Sequence, residues 1–276
     1  MSALSVPEPA SAPRDEWIGH VVVAGHRLHV AHRPGAPARV PLVLVNGIGA
    51  SLELFEPLMG ALDPDRPVVR FDVPGIGGSP LPWVPLPMAG LAALLSGLLD
   101  ELGYARADVL GLSWGGGIAQ QFALQHPDRT ARLALVSTGT GAMMVPARFS
   151  VLAKMLTPRR YNDRAYRREE GAEIYQGESQ ADVDAVFSRA HPVKFRGYLF
   201  QLMALMSWTS LPVLPFIGVP TLVLAGRRDP VIPIVNAHIM GSLMPRATVH
   251  LHHGGHLGLL TRPDELGRVL EDFLDN

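Results

Sequence analysis

The sequence contains no cysteine among its 276 residues. Disulfide bonds, thiolate metal sites and cysteine nucleophiles are therefore excluded, and a cysteine-free chain suits a reducing compartment. Aromatic residues make up only 7% of the chain and charged residues only 18%, whereas hydrophobic residues reach 47%. This balance is typical of a globular protein with a large core and not of a disordered chain.

An excess of charge of one sign is also missing, because the formal net charge is −1. The chain therefore lacks the basic surface that nucleic-acid binding requires. No uninterrupted apolar run of about 18 residues occurs, so we expect no transmembrane segment. The N-terminus is rich in Pro, Ala and Ser and lacks the basic and apolar regions of a signal peptide. We expect residues 1–16 to form a disordered tail and the protein to be cytoplasmic.

What the chain does contain is a regular alternation of short apolar runs and helical patterns. Strands are predicted at residues 20–24, 27–32, 41–45, 68–71, 107–112, 132–137, 221–225 and 248–251. Helices are predicted at residues 51–62, with Ser51 as N-cap, and at 87–102, 118–125, 233–243 and 264–274. The alternation predicts an α/β fold with a mostly parallel central sheet and helices on both faces. In such folds the active site lies at the carboxyl ends of the strands.

The alternation stops between residues 141 and 215, where the pattern indicates several helices and no βα repeat. We predict that this stretch is a helical cap inserted above the carboxyl edge of the sheet. The core would then consist of residues 17–140 and 216–276. Most Met and aromatic residues of the insertion are expected to form the cap's own core, and the remainder could line a substrate passage.

The candidate nucleophile is Ser113, which lies in the G-x-S-x-G sequence Gly111-Leu112-Ser113-Trp114-Gly115. A predicted strand precedes this sequence and a predicted helix follows it. That is the context of a nucleophile elbow, a turn so sharp that small residues must flank the serine. The turn also places the serine near a helix N-terminus, which favours developing negative charge.

A serine hydroxyl needs a base, and the base needs an orienting acid, in the chain order Ser, Asp or Glu, His for this type of fold. Asp229 follows a late predicted strand and is the candidate acid, the alternative being a turn aspartate before proline. His256 lies in a glycine-containing loop after the last strand and is the candidate base, with His253 as second choice. The cluster of His250, His252 and His253 could suggest a metal site, but it has no acidic partner nearby in the sequence, so we interpret it as a partly exposed strand end. No metal or cofactor is predicted.

A serine that attacks a carbonyl group also requires two backbone donors for the oxyanion of the tetrahedral intermediate. One candidate is the N–H of Trp114, directly after the nucleophile, and the other is the N–H of Ile48 in the loop Asn46-Gly47-Ile48-Gly49. Asp72 also follows a strand, but the tight loop after it indicates that this carboxylate caps backbone N–H groups.

These motifs resemble those of the α/β-hydrolases and, among them, the intracellular medium-chain-length poly(3-hydroxyalkanoate) depolymerases. The resemblance spans about residues 20–273. It is carried by residues 45–54, 71–79, 111–116, 141–146, 157–161, 208–210 and 220–226. The family's nucleophile, acid and base fall on Ser113, Asp229 and His256, the three residues reached above. Related esterases usually have a histidine where Asn46 stands.

The resemblance implies a serine hydrolase that cleaves the ester bonds of a stored medium-chain-length polyester at the surface of cytoplasmic granules. Within the resembling segments we predict Asn46, Gly47, Met143 and Trp208 as substrate-binding residues. The same triad could instead serve a general carboxylesterase or lipase, a lactonase or a carbon–carbon bond hydrolase acting on small apolar substrates. A catalytically idle binding module on the same fold is the alternative from a different class.

Overall fold

The computed structural model describes residues 16–276, and most of the predicted N-terminal tail lies outside them. Its strands are β1 (Trp17–Val23), β2 (His26–Arg33), β3 (Leu42–Val45), β4 (Val68–Phe71), β5 (Ala107–Leu112), β6 (Thr130–Val136), β7 (Thr221–Gly226) and β8 (Ala247–His252). They form one sheet in the order β1-β2-β4-β3-β5-β6-β7-β8. Only the β1–β2 and β2–β4 pairs are antiparallel. The predicted mostly parallel sheet is therefore confirmed.

Eleven α-helices surround the sheet within the described residues. They are α1 (Glu56–Met59), α2 (Met88–Glu101), α3 (Gly115–Gln125), α4 (Phe149–Met155), α5 (Arg159–Asn162), α6 (Arg164–Ile174), α7 (Gln180–Phe187), α8 (Phe195–Met206), α9 (Val235–Leu243), α10 (Gly258–Thr261) and α11 (Pro263–Asp275). Short 3₁₀ helices lie at Leu52–Phe55, Pro127–Arg129 and Leu211–Phe216. In residues 16–276 no helix combines the length and apolar character needed to cross a bilayer.

The central strands are apolar throughout because both of their faces are covered. In β3, Val43 and Val45 point into the core under α2, α3 and α9, whereas Leu42 and Leu44 point into the core under α1, α10 and α11. This alternation follows from the two-residue repeat of a strand. Each fully buried aliphatic side chain contributes about 1.5–3 kcal/mol, so the two cores hold the sheet edge rigidly beneath the site.

The helix predicted at residues 51–62 is the clearest error in the element boundaries. The chain forms a 3₁₀ helix and then the four-residue α1, and the Ser51 side chain does not cap either of them. The N–H of Leu52 donates instead to Asp72 Oδ1 at 2.7 Å. Pro57 lies inside the predicted span and has no N–H for a bond to the carbonyl four residues earlier, so two short helices replace the single one.

The residues between β6 and β7 form α4 to α8, which we call the cap segment (residues 141–215). Its two ends meet at the sheet, where Gly141 and Thr209 form an isolated antiparallel bridge. The N–H of Ala142 donates to the carbonyl of Trp208 at 2.8 Å. An insertion that leaves and returns at one point supports the proposed division into a core and a cap.

Candidate active site

Ser113 occupies the turn between β5 and α3 with a φ of +53°, a left-handed conformation that is uncommon for a residue with a side chain. The flanking glycines are required by close packing. A β-carbon at Gly111 would lie 2.5 Å from the carbonyl oxygen of Gly115, and one at Gly115 would lie 2.3 Å from that of Val45. The local sequence therefore forms a strained strand-to-helix turn with the serine at its apex.

The helix after the turn begins at Gly115, three residues before the predicted start at Ile118. The three glycines of the first turn lower helix propensity, and for that reason the sequence pattern places the start too late. Tertiary packing overrides this weak preference. A β-carbon at Gly116 would lie 2.2 Å from the hydroxyl oxygen of Thr138, so only glycine lets α3 approach the end of β6 this closely.

The structure brings Ser113, His256 and Asp229 into one hydrogen-bonded chain. His256 Nε2 lies 3.0 Å from Ser113 Oγ, and His256 Nδ1 lies 2.8 Å from Asp229 Oδ2. Asp229 Oδ1 accepts hydrogen bonds from the N–H groups of Val231 at 2.8 Å and Ile232 at 2.9 Å. These bonds fix the carboxylate so that it accepts from Nδ1–H, which leaves Nε2 free to accept the serine proton.

His256 is held by a loop that is anchored on both sides. The N–H of Gly254 donates to His252 Nδ1 at 3.1 Å, and the N–H of Gly255 donates to Glu178 Oε1, from the cap segment, at 2.8 Å. His252 Nδ1 also accepts from Arg262 Nη2 at 2.8 Å. The pKa of His252 is lowered to about 4, mainly by burial and secondly by the positive charge of Arg262.

The expectation that His250, His252 and His253 form a partly exposed strand end is wrong for His252, which is buried. Its ring turns inward because it supports the loop that carries His256. His253 is exposed and does not reach Ser113. The described residues contain no group of three or more His, Asp or Glu side chains placed to hold a metal ion.

The two candidate oxyanion donors flank the serine. The N–H groups of Ile48 and Trp114 donate to no other group of the described chain. The carbonyl of Ile48 accepts hydrogen bonds from Tyr161 Oη at 2.7 Å and Arg160 Nη2 at 3.3 Å, both from the cap segment. The loop at residues 46–49 is therefore oriented by side chains of the cap, and this is a feature that the sequence did not reveal.

The predicted structural role of Asp72 is confirmed. Its two carboxylate oxygens accept hydrogen bonds from the N–H groups of Leu52 and Gly78, at 2.7 and 2.8 Å. His29 Nδ1 lies 2.9 Å from Asp72 Oδ2, and this hydrogen bond raises the pKa of His29. The pair forms part of the loop after β4 and does not contact Ser113.

A large apolar cavity of about 350 Å³ reaches Ser113 beneath the cap segment. Trp208 lines it, as predicted for a substrate-binding residue. Further lining residues that the sequence analysis did not single out are Met144, Phe149, Leu152, Leu156, Leu205 and Met206. Their Met and aromatic character was visible, but a sequence pattern cannot separate side chains that line a cavity from those that fill a small helical core.

The other predicted substrate-binding residues have different positions. Gly47 lines a second, smaller cavity at Ser113, and a β-carbon there would lie 3.4 Å from the β-carbon of the serine. Asn46 lines neither cavity, because its amide donates to the carbonyl of Ser51 at 2.6 Å. Met143 is 59% exposed and lies outside both cavities, while the next residue, Met144, faces the large one.

Comparison with known proteins places these features in a family. Residues 40–263 match the family model described as the alpha/beta hydrolase fold. A poly(3-hydroxyalkanoate) depolymerase of Ectopseudomonas oleovorans is 43% identical over 250 residues, covering 90% of this chain and 88% of that protein. A putative carbamate hydrolase RutD of Pseudomonas savastanoi pv. phaseolicola is 30% identical over 261 residues, covering 91% of this chain and 98% of that protein.

Among solved structures, the enol-lactonase from Burkholderia xenovorans LB400 superimposes with a TM-score of 0.80 at 24% identity. The match covers 94% of this chain and 100% of the enol-lactonase chain. At this level of identity the similarity shows a shared fold and carries no statement about the substrate.

Proposed function

This chain belongs to the alpha/beta hydrolase fold family and is an ester hydrolase, and we propose that it cleaves medium-chain-length poly(3-hydroxyalkanoate) through a Ser113–His256–Asp229 triad. The observation that carries the proposal is the hydrogen-bonded chain from Asp229 through His256 to Ser113, opening into a large apolar cavity. The similarity to a poly(3-hydroxyalkanoate) depolymerase over 90% of the chain supports the polyester as substrate.

The proposed reaction has two steps. In the first, Ser113 Oγ attacks the ester carbonyl while His256 Nε2 takes the hydroxyl proton, and the N–H groups of Ile48 and Trp114 bind the oxyanion. Collapse of the tetrahedral intermediate breaks the bond to the alcohol oxygen, which takes the proton from His256. In the second step, water attacks the 3-hydroxyacyl-enzyme with His256 as base, and the acid leaves as the serine is regenerated.

The surface around the cavity mouth suits a polymer better than a small soluble ester. Phe149, Leu156 and Met206 line the cavity and are 85%, 60% and 69% exposed. Large exposed apolar side chains grouped at a cavity mouth mark a binding surface for an apolar partner. We propose that this rim contacts the polyester, including the surface of a cytoplasmic storage granule, and guides a chain towards Ser113.

The proposal is tested with purified enzyme and an emulsion of poly(3-hydroxyoctanoate), with released hydroxy acids measured by chromatography. We expect release by the wild type and by Ser242→Ala, a matched change at an exposed position of α9, and no release by Ser113→Ala. Labelling by a phosphonofluoridate, read by mass, should modify the wild type and not Ser113→Ala. An unlabelled wild type would favour a binding module. Cleavage of short esters or lactones alone would remove the polymer and leave a general esterase.

A further inference from the structure

The second cavity at the proposed nucleophile, of about 30 Å³, is also mainly apolar, but its cap wall carries guanidinium and phenol groups that the cap wall of the large cavity does not have. Its lining includes Ser113 and His256 of the core and Arg160, Tyr161 and Tyr175 of the cap segment. The mechanism proposed above uses no polar group of this cap wall on the substrate. Three polar side chains facing a small space next to a reactive serine are typical of a subsite for a polar substrate group.

Arg160 is a buried cation without an anionic partner. Its residue is only 3% exposed, yet its guanidinium bonds neutral groups, the Tyr198 hydroxyl at 2.9 Å and the Ile48 carbonyl at 3.3 Å. The rings of Tyr161 and Tyr198 flank it, with centroids 4.8 and 5.5 Å from Arg160 Cζ. Burial of a charge is costly unless it is paired, so an anion entering this cavity would gain a strong, already oriented partner.

Three neighbouring exposed arginines of the cap segment do have carboxylate partners. The exposed residues Arg159, Arg164 and Arg168 each pair with an aspartate. In contrast, neither Arg160 nor the adjacent buried Arg167 forms an ion pair with any Asp or Glu of residues 16–276. The interior of the cap therefore holds two positive charges that the described chain leaves uncompensated.

Tyr175 provides a second, independent indication of a ligand. Its residue is 3% exposed, and its hydroxyl has no hydrogen-bond partner in the described chain although it lines the same cavity. A buried hydroxyl without a partner is destabilising, and this one belongs to a residue that lines the cavity beside Arg160. A ligand oxygen in the cavity would accept from this hydroxyl.

We propose that the cavity between Ser113 and the Arg160–Tyr175 pair is a subsite for a carboxylate, the free carboxyl end of a 3-hydroxyalkanoate chain or its released monomer. A carboxylate is favoured over an ester carbonyl because only a full negative charge compensates the buried guanidinium. The identity of the chain as a hydroxyalkanoate rests on the proposed function, whereas the carboxylate subsite rests on the cavity alone. The enzyme would thus prefer to cleave next to a carboxyl chain end.

Competitive inhibition tests the subsite without relying on the polymer. The reporter is hydrolysis of p-nitrophenyl butanoate, and the probes are 3-hydroxyoctanoate and its neutral amide, 3-hydroxyoctanamide. We expect the wild type to bind the acid at least about tenfold more tightly than the amide. Arg160→Gln should abolish this preference and Tyr175→Phe should reduce it at least about threefold. The control is Tyr104→Phe, because the Tyr104 hydroxyl forms its hydrogen bond with His32 and not with a cavity residue. This variant should retain the wild-type ratio.

Arg160 also contacts the Ile48 carbonyl, so its loss can lower the turnover rate by disturbing the oxyanion loop. Ratios of inhibition constants do not depend on the turnover rate and therefore report on binding of the carboxylate alone. Tyr175→Phe guards against misfolding, since removing an unpartnered buried hydroxyl should leave the melting temperature equal or higher. Equal binding of acid and amide by the wild type, or an unchanged ratio in both cavity variants, would overturn the subsite.

A matched pair of dimers separates the subsite from the polyester. The pair is 3-hydroxyoctanoyl-3-hydroxyoctanoate with a free carboxyl end and the same dimer ending in a primary amide. We expect faster cleavage of the acid dimer by the wild type and loss of this difference in Arg160→Gln. If neither dimer is cleaved while the inhibition ratios behave as expected, the polyester proposal fails and the carboxylate subsite stands.

Discussion

At the scale of single residues, the proton position on His256 decides whether Ser113 can be activated. Asp229 Oδ2 faces Nδ1 at 2.8 Å, and Asp229 Oδ1 is already committed to two backbone N–H groups. The carboxylate is therefore held in one orientation and can only accept from the ring. This arrangement keeps the proton on Nδ1 and the lone pair on Nε2, where the serine hydroxyl needs it.

Asp229→Asn tests this assignment. Asparagine can keep its oxygen on the N–H groups of Val231 and Ile232, which turns its NH₂ towards His256 Nδ1. The ring must then carry its proton on Nε2, where it cannot accept from Ser113. We expect kcat on p-nitrophenyl esters to fall about 10³–10⁴-fold with little change in melting temperature. The control is Asp163→Asn in the cap segment, and a loss of less than tenfold in Asp229→Asn would contradict the role.

His252 gives a prediction about acid stability. Its pKa is lowered from the ordinary 6.5 to about 4 by burial and by Arg262, so between these pH values the unfolded chain binds a proton that the folded chain does not. Stability is therefore lost as the pH falls through this window, by roughly 3 kcal/mol in total.

His252→Asn removes the titrating ring and offers a carbonyl oxygen to the N–H of Gly254 in place of Nδ1. We expect the variant to lose less stability than the wild type between pH 7 and pH 4, measured by urea unfolding at each pH. The matched change at exposed His253 should leave the wild-type slope unchanged. Parallel pH profiles for wild type and His252→Asn would refute the assignment.

Sequence reasoning located the residues that can be identified by their order along the chain and by the loop in which they lie. Ser113, Asp229 and His256 each follow a strand that the apolar pattern reveals. Arg160 and Tyr175 could not be found in this way, because their importance comes from missing partners and a shared cavity. Met143 and Met144 show the same limit, since adjacent residues of one type can face solvent and cavity respectively.

At the scale of elements, the turn that carries Ser113 needs its glycines because neighbouring atoms leave no room for a β-carbon. Helix geometry alone would permit other residues at these positions. Gly115→Ala would place a β-carbon 2.3 Å from the Val45 carbonyl oxygen, so the backbone must shift. We expect a loss of about 2–3 kcal/mol in unfolding free energy and a large fall in kcat, because Ser113 moves with the turn. Urea denaturation and ester kinetics measure the two effects.

Gly60→Ala is the matched control for Gly115→Ala. Gly60 has helical torsion angles, with φ −74° and ψ −20°, and a β-carbon there would have nothing within 4 Å. We expect an unfolding free energy equal to that of the wild type or up to about 1 kcal/mol higher, with unchanged kinetics. Equal effects of the two alanines would show that the elbow does not need its glycines.

Helices and strands were predictable where the burial of a segment agrees with the spacing of its apolar residues. Strand β5 was predicted with its observed bounds, because a strand covered on both faces reads as an unbroken apolar run. The single helix predicted at residues 51–62 was wrong because Pro57 has no N–H to donate inside it, so the chain forms a 3₁₀ helix followed by a short α1 with proline in its first turn. The proline is a local signal, whereas the hydrogen bond from the Leu52 N–H to Asp72 Oδ1, 20 residues along the chain, is set by the tertiary fold and leaves none.

At the scale of the whole molecule, the cap segment and the core are joined at the oxyanion loop. On helix α8 of the cap, Gln201 Oε1 accepts from the N–H of Gly49 at 2.7 Å, and the Gln201 carbonyl accepts from Trp114 Nε1 at 2.9 Å. One cap residue therefore holds the loop that carries Ile48 and the residue after Ser113. The position of helix α8 and the alignment of the two proposed oxyanion donors therefore depend on each other.

Gln201→Met tests this coupling, because it preserves the length of the side chain and removes the acceptor for Gly49. We expect kcat to fall about tenfold with a small change in KM, less than the 10²–10³-fold cost of deleting an oxyanion donor, since the Ile48 N–H is loosened and not lost. Met203→Gln is the reciprocal control, because Met203 lies on the same helix, is 47% exposed and lines neither cavity. A rise in KM alone would assign Gln201 to substrate binding, and wild-type kinetics would show that the loop holds its geometry without the cap.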